Sequence, residues 1–236
     1  MKTNLILVIV PFFLFGLQST FGQQKFKYDL PVFDELSVRN NAVVYLHQDT
    51  VQSVLVEGNE AFIDQVFVES KDGKLVIRYA TDKRIDTKFK PDVLTFHISV
   101  LHMKRILVSG SGAVNAEGTI QGDELDLYVS GSGSIQLPDV KVKNIHSSLS
   151  GSGHIDISSK DTIPEHKIMI SGSGKINSGG LKSKYVGVII SGSGNCTVDA
   201  SEKLSVKMVG SGKVTYHGNP KIQSTTIGPG KLIKEE

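Results

Sequence analysis

The chain has 236 residues, of which 39% are hydrophobic and 21% are charged, so it can bury a substantial core and wholesale disorder is excluded. Its 26 Lys and Arg residues against 24 Asp and Glu residues give a net charge of +2. The sequence has no blocks of like charge, so the charge pattern does not indicate binding to nucleic acid or to an anionic membrane. A single cysteine excludes an intramolecular disulfide and a multi-cysteine zinc site.

The first residues have the pattern of a secretory signal peptide. Lys2 precedes an apolar run from Leu5 to Leu17, and Thr20-Phe21-Gly22 offers a cleavage site with small residues in the required places. The run is too short to span a bilayer comfortably, although an uncleaved anchor helix remains the alternative. We therefore predict a signal peptide over residues 1–22 and no transmembrane segment in the mature chain. Export to the periplasm, the outer membrane surface or the extracellular space follows.

Residues 23–100 are predicted to form a less regular N-terminal β region. Lys71-Asp72-Gly73-Lys74 has the composition of a turn between two strands, and Val93 to Val100 is a further strand. Two arrangements are open: degenerate coils that continue a later stack, or an antiparallel cap over its first edge. Apolar residues recur here with one spacing, first as Leu36, Val38, Val44 and Leu46 and then in part as Val54, Val56 and Phe62.

Residues 101–236 contain an internal repeat. The tetrapeptide Ser-Gly-Ser-Gly recurs every 20 or 21 residues, and a period of this length is typical of a solenoid. It begins at Ser109, Ser130, Ser150, Ser171 and Ser191, and the variants Val-Gly-Ser-Gly and Ile-Gly-Pro-Gly begin at Val209 and Ile227.

Apolar residues keep the same register around each tetrapeptide. They stand at even offsets on both sides of it, which is the period of β-strands and not of a helix. Each unit is therefore a strand, a glycine corner and a second strand, and stacked units form a parallel β-helix. The residues just before the tetrapeptides are predicted to form a buried ladder: Val108, Val129, Leu149, Ile170, Ile190, Met208 and Thr226.

These features resemble a known family. The signal peptide, the segment Phe33-Asp34-Glu35-Leu36-Ser37-Val38 and the run of glycine–serine corners resemble the secreted proteins of Bacteroidetes-type bacteria described as putative auto-transporter adhesins of the head GIN domain type. The resemblance covers essentially the whole mature chain. It implies a right-handed β-helix exposed beyond the inner membrane, and it supplies no catalytic motif.

No catalytic, cofactor-binding or metal-binding residues are predicted. The loop positions that hold aspartates in calcium-binding β-rolls contain a single aspartate here, and the seven histidines show no close ligand spacing. His154, Asp156 and Lys175 form the only suggestive polar trio, and we interpret them as solvated outward side chains. Cys196 falls at an inward position, where a thiol packs as a small hydrophobe.

One outward position departs from the expected polar surface. Leu107, Tyr128, Met169 and Ile189 precede the buried ladder residues and predict an apolar stripe along an outer face, interrupted by Ser148. We expect this stripe to be covered either by the N-terminal region or by a second copy of the chain, which would make a homo-oligomer.

The sequence therefore predicts an all-β, exported and non-enzymatic protein that contacts an unknown surface macromolecule or glycan. A carbohydrate-binding or polysaccharide-cleaving β-helix is the alternative function. A purely structural envelope protein without a ligand is a third.

Overall fold

The structure is a computed structural model that describes residues 24–80 and 93–235. The predicted signal peptide over residues 1–22 lies outside the described residues. Within residues 24–80 and 93–100 there are seven strands and one helical turn: β1 (Gln24–Tyr28), β2 (Glu35–Val38), β3 (Val43–Gln48), β4 (Ser53–Gly58), α1 (Glu60–Ile63), β5 (Val66–Lys71), β6 (Lys74–Tyr79) and β7 (Thr95–Val100).

The repeat region consists of strands and corners throughout its described length. Its strands are β8 (Arg105–Gly110), β9 (Ala113–Glu117), β10 (Thr119–Gln121), β11 (Glu124–Gly131), β12 (Ser134–Leu137), β13 (Asp139–Lys141), β14 (Asn144–Gly151), β15 (His154–Ser158), β16 (Ile163–Gly172), β17 (Lys175–Gly192), β18 (Asn195–Gly210), β19 (Lys213–His217), β20 (Lys221–Ile227) and β21 (Lys231–Lys234).

Two sides of the stack are built from parallel strands in register, as the sequence predicts. Strands before each glycine corner form face A: β8, β11, β14, β16, the C-terminal parts of β17 and β18, and β20. Strands after each corner form face B: β9, β12, β15, the N-terminal parts of β17 and β18, β19 and β21. Each coil therefore lies directly on the equivalent part of the coil before it.

The predicted ladder is confirmed for its six apolar members, whereas the seventh, Thr226, is exposed. Neighbouring strands lie about 4.8 Å apart, so each ladder side chain packs against its equivalents in the adjacent coils. Its first six members are at most 2% exposed. The register pairs run from Val108 through Val129, Leu149, Ile170 and Ile190 to Met208, and then to Thr226.

A short third side closes each coil, which the prediction of two strands per unit missed. Strands β10 and β13 pair in parallel there, with Ile120 beside Val140. Ile163, Leu181 and Ala200 are buried in later coils and are at most 1% exposed. Side chains from three sides therefore fill the interior of the solenoid.

The N-terminal strands both continue the stack and cover its end. Strand β2 lies parallel between β8 and β6, and β3 lies parallel between β9 and β7, which adds two coils. Beyond them β5 pairs antiparallel with β6, and β4 pairs antiparallel with β7 and β1. The two arrangements that the sequence left open thus occur together, and the antiparallel strands occupy an edge that would otherwise be free to pair with another chain.

Local predictions in this region have mixed outcomes. The turn at residues 71–74 is confirmed, because β5 and β6 form a hairpin with Asp72 and Gly73 at positive φ angles of 51° and 77°. The partial repeat that begins at Val54 belongs to the antiparallel strands and does not form a parallel coil. Strand β4 runs antiparallel, and Phe62 lies in the single turn α1.

Each corner requires both of its glycines. Gly172, the first of its pair, has a φ of +118°, and a Cβ there would lie 2.6 Å from the carbonyl oxygen of Gly151. Gly174, the second, would place a Cβ 2.6 Å from the carbonyl oxygen of Gly153. The intervening Ser173 donates its backbone N–H to the Gly151 oxygen over 2.9 Å. The corners therefore stack backbone on backbone, which leaves no room for side chains.

The coil formed by β20 and β21 has polar residues where earlier coils are apolar. Ser224 and Thr226 pair with Val206 and Met208, and Lys234 pairs with Tyr216. Polar and charged inward positions on an outermost strand disfavour pairing with another chain.

Candidate functional site

The predicted contact residues form one column on the outer surface of face A. Tyr128 pairs with Leu107 and Ser148, and Met169 pairs with Ser148 and Ile189. Since successive side chains of a strand point to opposite faces, this column points away from the buried ladder.

The N-terminal half of the column is engaged within the fold. Leu107 and Tyr128 are half-buried. The Arg105 guanidinium carbon lies 5.9 Å from the Tyr128 ring centroid, and Arg105 forms ion pairs with Glu35 and Asp126, each at 3.0 Å. Arg105 thus joins three successive coils and lies beside the tyrosine, so this half offers little free apolar surface.

The C-terminal half of the column is open to solvent. Met169 and Ile189 are each 45% exposed. Three further outward apolar residues of face A are exposed close by, so four consecutive coils contribute to the surface. We call this set the C-terminal apolar patch: Met169, Tyr185, Ile189, Val209 and Ile227.

The N-terminal region does not cover this patch within the described residues. Strands β2 and β3 stack on β8 and β9 at one end of the tube, and the other N-terminal strands lie beyond them. Met169 and Ile189 lie on β16 and β17, several coils away. Residues 24–80 and 93–100 therefore do not cover the C-terminal half of the stripe. Contact with a second copy or another partner stays a prediction.

The polar trio on face B is partly connected. His154 and Lys175 are register partners in adjacent coils. The imidazole Nε2 of His154 contacts Asp156 Oδ2, while Asn177 Nδ2 donates to Asp156 Oδ1 over 2.6 Å. Asp156 is therefore held from both sides by neighbouring side chains.

Cys196 occupies the core, as predicted. It is 1% exposed and pairs in register with Ile176 and Val214. Burial raises the pKa of its thiol, which disfavours the reactive thiolate.

We expect Cys196 to resist a water-soluble disulfide reagent in the folded protein and to react fully in denaturant. Cys196→Val should abolish labelling while changing the free energy of unfolding by less than about 1 kcal/mol, because its neighbours are aliphatic. Absorbance of the released thiolate measures the reaction. Labelling of the native protein at the denatured rate would contradict the buried position.

A buried polar pair was missed by the sequence analysis. His166, 1% exposed, lies in the core beside Ser147, which is 0% exposed, and their Nε2 and Oγ atoms are 2.9 Å apart. Burial and then the charge of His146 lower the pKa of His166 to about 3, so its imidazole is neutral at ordinary pH. A histidine at an inward position, four residues before the ladder residue Ile170, is the signal that could have found it.

Two features are absent from residues 24–80 and 93–235. No three His, Cys, Asp or Glu side chains there are grouped closely enough to hold a metal ion together. No helix in this part of the chain is both long and apolar enough to span a bilayer.

The stacked coils, the capped end and the exposed outer patch define a β-solenoid with a candidate contact surface. The family model for the putative auto-transporter adhesin, head GIN domain, matches residues 32–220. The chain belongs to this family, as its corner repeats suggest.

Solved structures share the fold at low sequence identity. A putative adhesin from Bacteroides fragilis has a TM-score of 0.80 at 20% identity, over 93% of this chain and 100% of that one. A putative lipid binding protein from Parabacteroides distasonis has a TM-score of 0.77 at 20% identity, over 92% and 98% of the two chains. A putative adhesin from Parabacteroides merdae reaches 0.70 at 18% identity, over 91% and 96%. No curated protein matches.

Proposed function

We propose that the chain is an exported, non-enzymatic, adhesin-like protein that binds a surface macromolecule or glycan through the outer surface of face A. The observation that carries this proposal is the C-terminal apolar patch, which is exposed over four consecutive coils. Met169 pairs with Ile189 and Val209 pairs with Ile227, and exposed apolar patches are typical of contact sites. Family membership supports a role at the cell surface.

The fold suits such a role because the contact residues lie on strands and not on loops. Met169 and Ile189 are fixed by parallel pairing on both sides. Binding therefore needs little ordering of the backbone, which lowers the entropic cost of association. Leu107 and Tyr128 extend the same column and are the secondary part of the proposed face.

The first test measures sedimentation of the purified chain with isolated bacterial envelope fragments. Met169→Glu combined with Ile189→Glu should weaken binding about 10-fold or more, because charge enters the apolar contact. The matched control is Val32→Glu with Val51→Glu, at positions 64% and 68% exposed elsewhere on the chain. Both variants should unfold at the wild-type denaturant midpoint.

Two outcomes would redirect the proposal. If the Met169→Glu/Ile189→Glu variant still binds envelope fragments, the patch is not part of the contact. A halved molecular mass in size-exclusion chromatography with light scattering, confined to that variant, would identify the patch as an interface between copies of the chain.

The alternative is a carbohydrate-binding or polysaccharide-cleaving solenoid, and the connected His154, Asp156 and Asn177 side chains on face B favour it most. Incubation with polyanionic polysaccharides should release no unsaturated sugars. If the wild-type chain releases unsaturated sugars and the Asp156→Asn variant does not, the protein is an enzyme and the non-enzymatic proposal is overturned.

A further inference from the structure

The charges of the chain are distributed unevenly along the stack. Residues 163–235 contain ten lysines and four acidic residues, whereas residues 24–162 contain fifteen Lys and Arg and nineteen acidic residues. The small net charge of the whole chain conceals this difference. The repeat spaces many of the lysines about one coil apart, so they form no charged run in the sequence but meet on the surface.

Two groups of lysines flank the C-terminal apolar patch. On face A, Lys207 pairs with Ile189, and Lys203 pairs with Lys221. Beyond the glycine corner, on face B, Lys213 pairs with Lys231 and is separated from Lys175 by Asn195. All six lysines are exposed. We call them the flanking lysines: Lys175, Lys203, Lys207, Lys213, Lys221 and Lys231.

The flanking lysines keep their positive charge available. None of the six forms an ion pair within the described residues, whereas nearby carboxylates are engaged by other groups. Glu165 pairs with Lys167 at 3.0 Å, and Glu202 pairs with Lys184 at 3.7 Å. Glu202 also raises the pKa of the Tyr185 phenol by accepting its hydrogen bond. The surface around the patch is therefore cationic.

We propose that the C-terminal apolar patch and the flanking lysines dock on an anionic lipid surface. This inference rests on the proposed function and names the partner of the same face. The lysine ammonium groups meet lipid phosphates, while the apolar side chains enter the boundary between headgroups and acyl chains. Proteins that lie on membranes combine these two contributions.

The shape of the surface agrees with a membrane better than with a small soluble ligand. Val209 and Ile227 immediately precede the corner glycines at which the chain turns from face A to face B. This end of the patch therefore lies at an outer edge of the tube. Four coils extend it for roughly 14 Å parallel to the stack axis at the usual strand spacing.

Composition argues against a protein partner. Protein interfaces are depleted in lysine and enriched in arginine and aromatic residues, whereas residues 163–235 contain no arginine and the patch has one aromatic residue, Tyr185. A symmetric dimer through this face would bring the flanking lysines of both copies together. Like charges across an interface disfavour association.

The test uses the purified chain and vesicles of phosphatidylglycerol and phosphatidylcholine at about 3:7, compared with phosphatidylcholine alone. We expect sedimentation with the anionic vesicles only, and weaker binding as salt rises from about 0.05 to 0.5 M. Inorganic phosphate at equal ionic strength should act no more strongly than chloride, which separates a lipid surface from a site for free phosphate.

Variants with matched controls assign the binding to the patch. Lys203→Gln, Lys207→Gln and Lys221→Gln together should weaken vesicle binding about 10-fold or more. Lys141→Gln, Lys143→Gln and Lys160→Gln remove the same charge from exposed positions in earlier coils and should change it less than about 2-fold. Val209→Ser with Ile227→Ser should also weaken binding, whereas Val51→Ser with Val93→Ser should not.

The outcomes separate this inference from the proposed function. Failure to bind anionic vesicles, equal binding to neutral vesicles, or equal effects of the two lysine triples overturns the lipid inference. If envelope binding is still lost in the Met169→Glu/Ile189→Glu variant in that case, the proposed function stands with a protein or glycan partner. If neither envelopes nor vesicles are bound, both proposals fail.

Discussion

Gly172→Ala should lower the free energy of unfolding by about 3–5 kcal/mol, whereas Gly187→Ala should leave it within about 1 kcal/mol. At Gly172 the backbone has a φ of +118°, and the added Cβ would lie 2.6 Å from one backbone oxygen of the preceding coil. The contact is with backbone, so the coils themselves would have to separate. At Gly187, on the outer surface of β17, an added Cβ meets no atom within 4 Å.

Urea unfolding followed by circular dichroism measures the difference between the two variants. Each variant replaces one glycine by alanine, at the C-terminal end of β16 for Gly172 and within β17 for Gly187, so the effect on the unfolded chain is nearly equal. The gap between their midpoints then reports the corner geometry. Equal midpoints would show that the stacked corners tolerate a side chain.

The repeat region was predictable because one period carries several constraints together. A shift of the strand register by one residue would move Val129, Leu149 and Ile170 from the core to the surface. The glycine corners fix the same register through backbone contacts. Sequence and stacking therefore specify one arrangement, and the predicted ladder has the predicted neighbours.

The N-terminal part was less predictable because its spatial order differs from its chain order. The coil made by β6 and β7 lies outside the coil made by β2 and β3. Local pattern shows that each segment is a strand but not which strand pairs with which. The third side was missed for another reason, since a three-residue strand such as Thr119–Gln121 is too short to show a period.

The candidate site was predictable in position but not in exposure. Alternation places Leu107 and Met169 on the same outer column, yet only Met169 is exposed. Tyr128, the register neighbour of Leu107 in this column, lies beside Arg105, whose side chain also pairs with Glu35, 70 residues away in the sequence. The flanking lysines were missed because lysines that meet on the surface, such as Lys203 with Lys221 or Lys213 with Lys231, lie about one coil apart in the sequence.

The pair formed by Ser147 and His166 is an exception to the apolar interior. His166 occupies a column in which Ile145 and Val186 are its register neighbours. The Ser147 hydroxyl and the neutral imidazole share a hydrogen bond, so neither polar group is left unpaired in the core. The pair is satisfied only while His166 stays neutral.

Acid should therefore destabilise the fold through His166. Its pKa falls from an unfolded value of 6.5 to about 3 in the folded state, so between these values the unfolded chain binds a proton that the folded chain does not. Stability is present in full above pH 6.5 and is lost as pH falls toward 3. From pH 7 to pH 5 the loss from this one group is about 2 kcal/mol.

The double variant Ser147→Val with His166→Leu tests this directly, because both polar groups give way to aliphatic side chains like those around them. Its free energy of unfolding relative to wild type should rise by about 2 kcal/mol between pH 7 and pH 5, as measured by urea unfolding at each pH. His102→Leu removes an exposed imidazole and is the control for general effects of losing a histidine. A pH dependence unchanged by the double variant would mean that His166 does not remain neutral in the folded protein and that the core around it admits a proton and water.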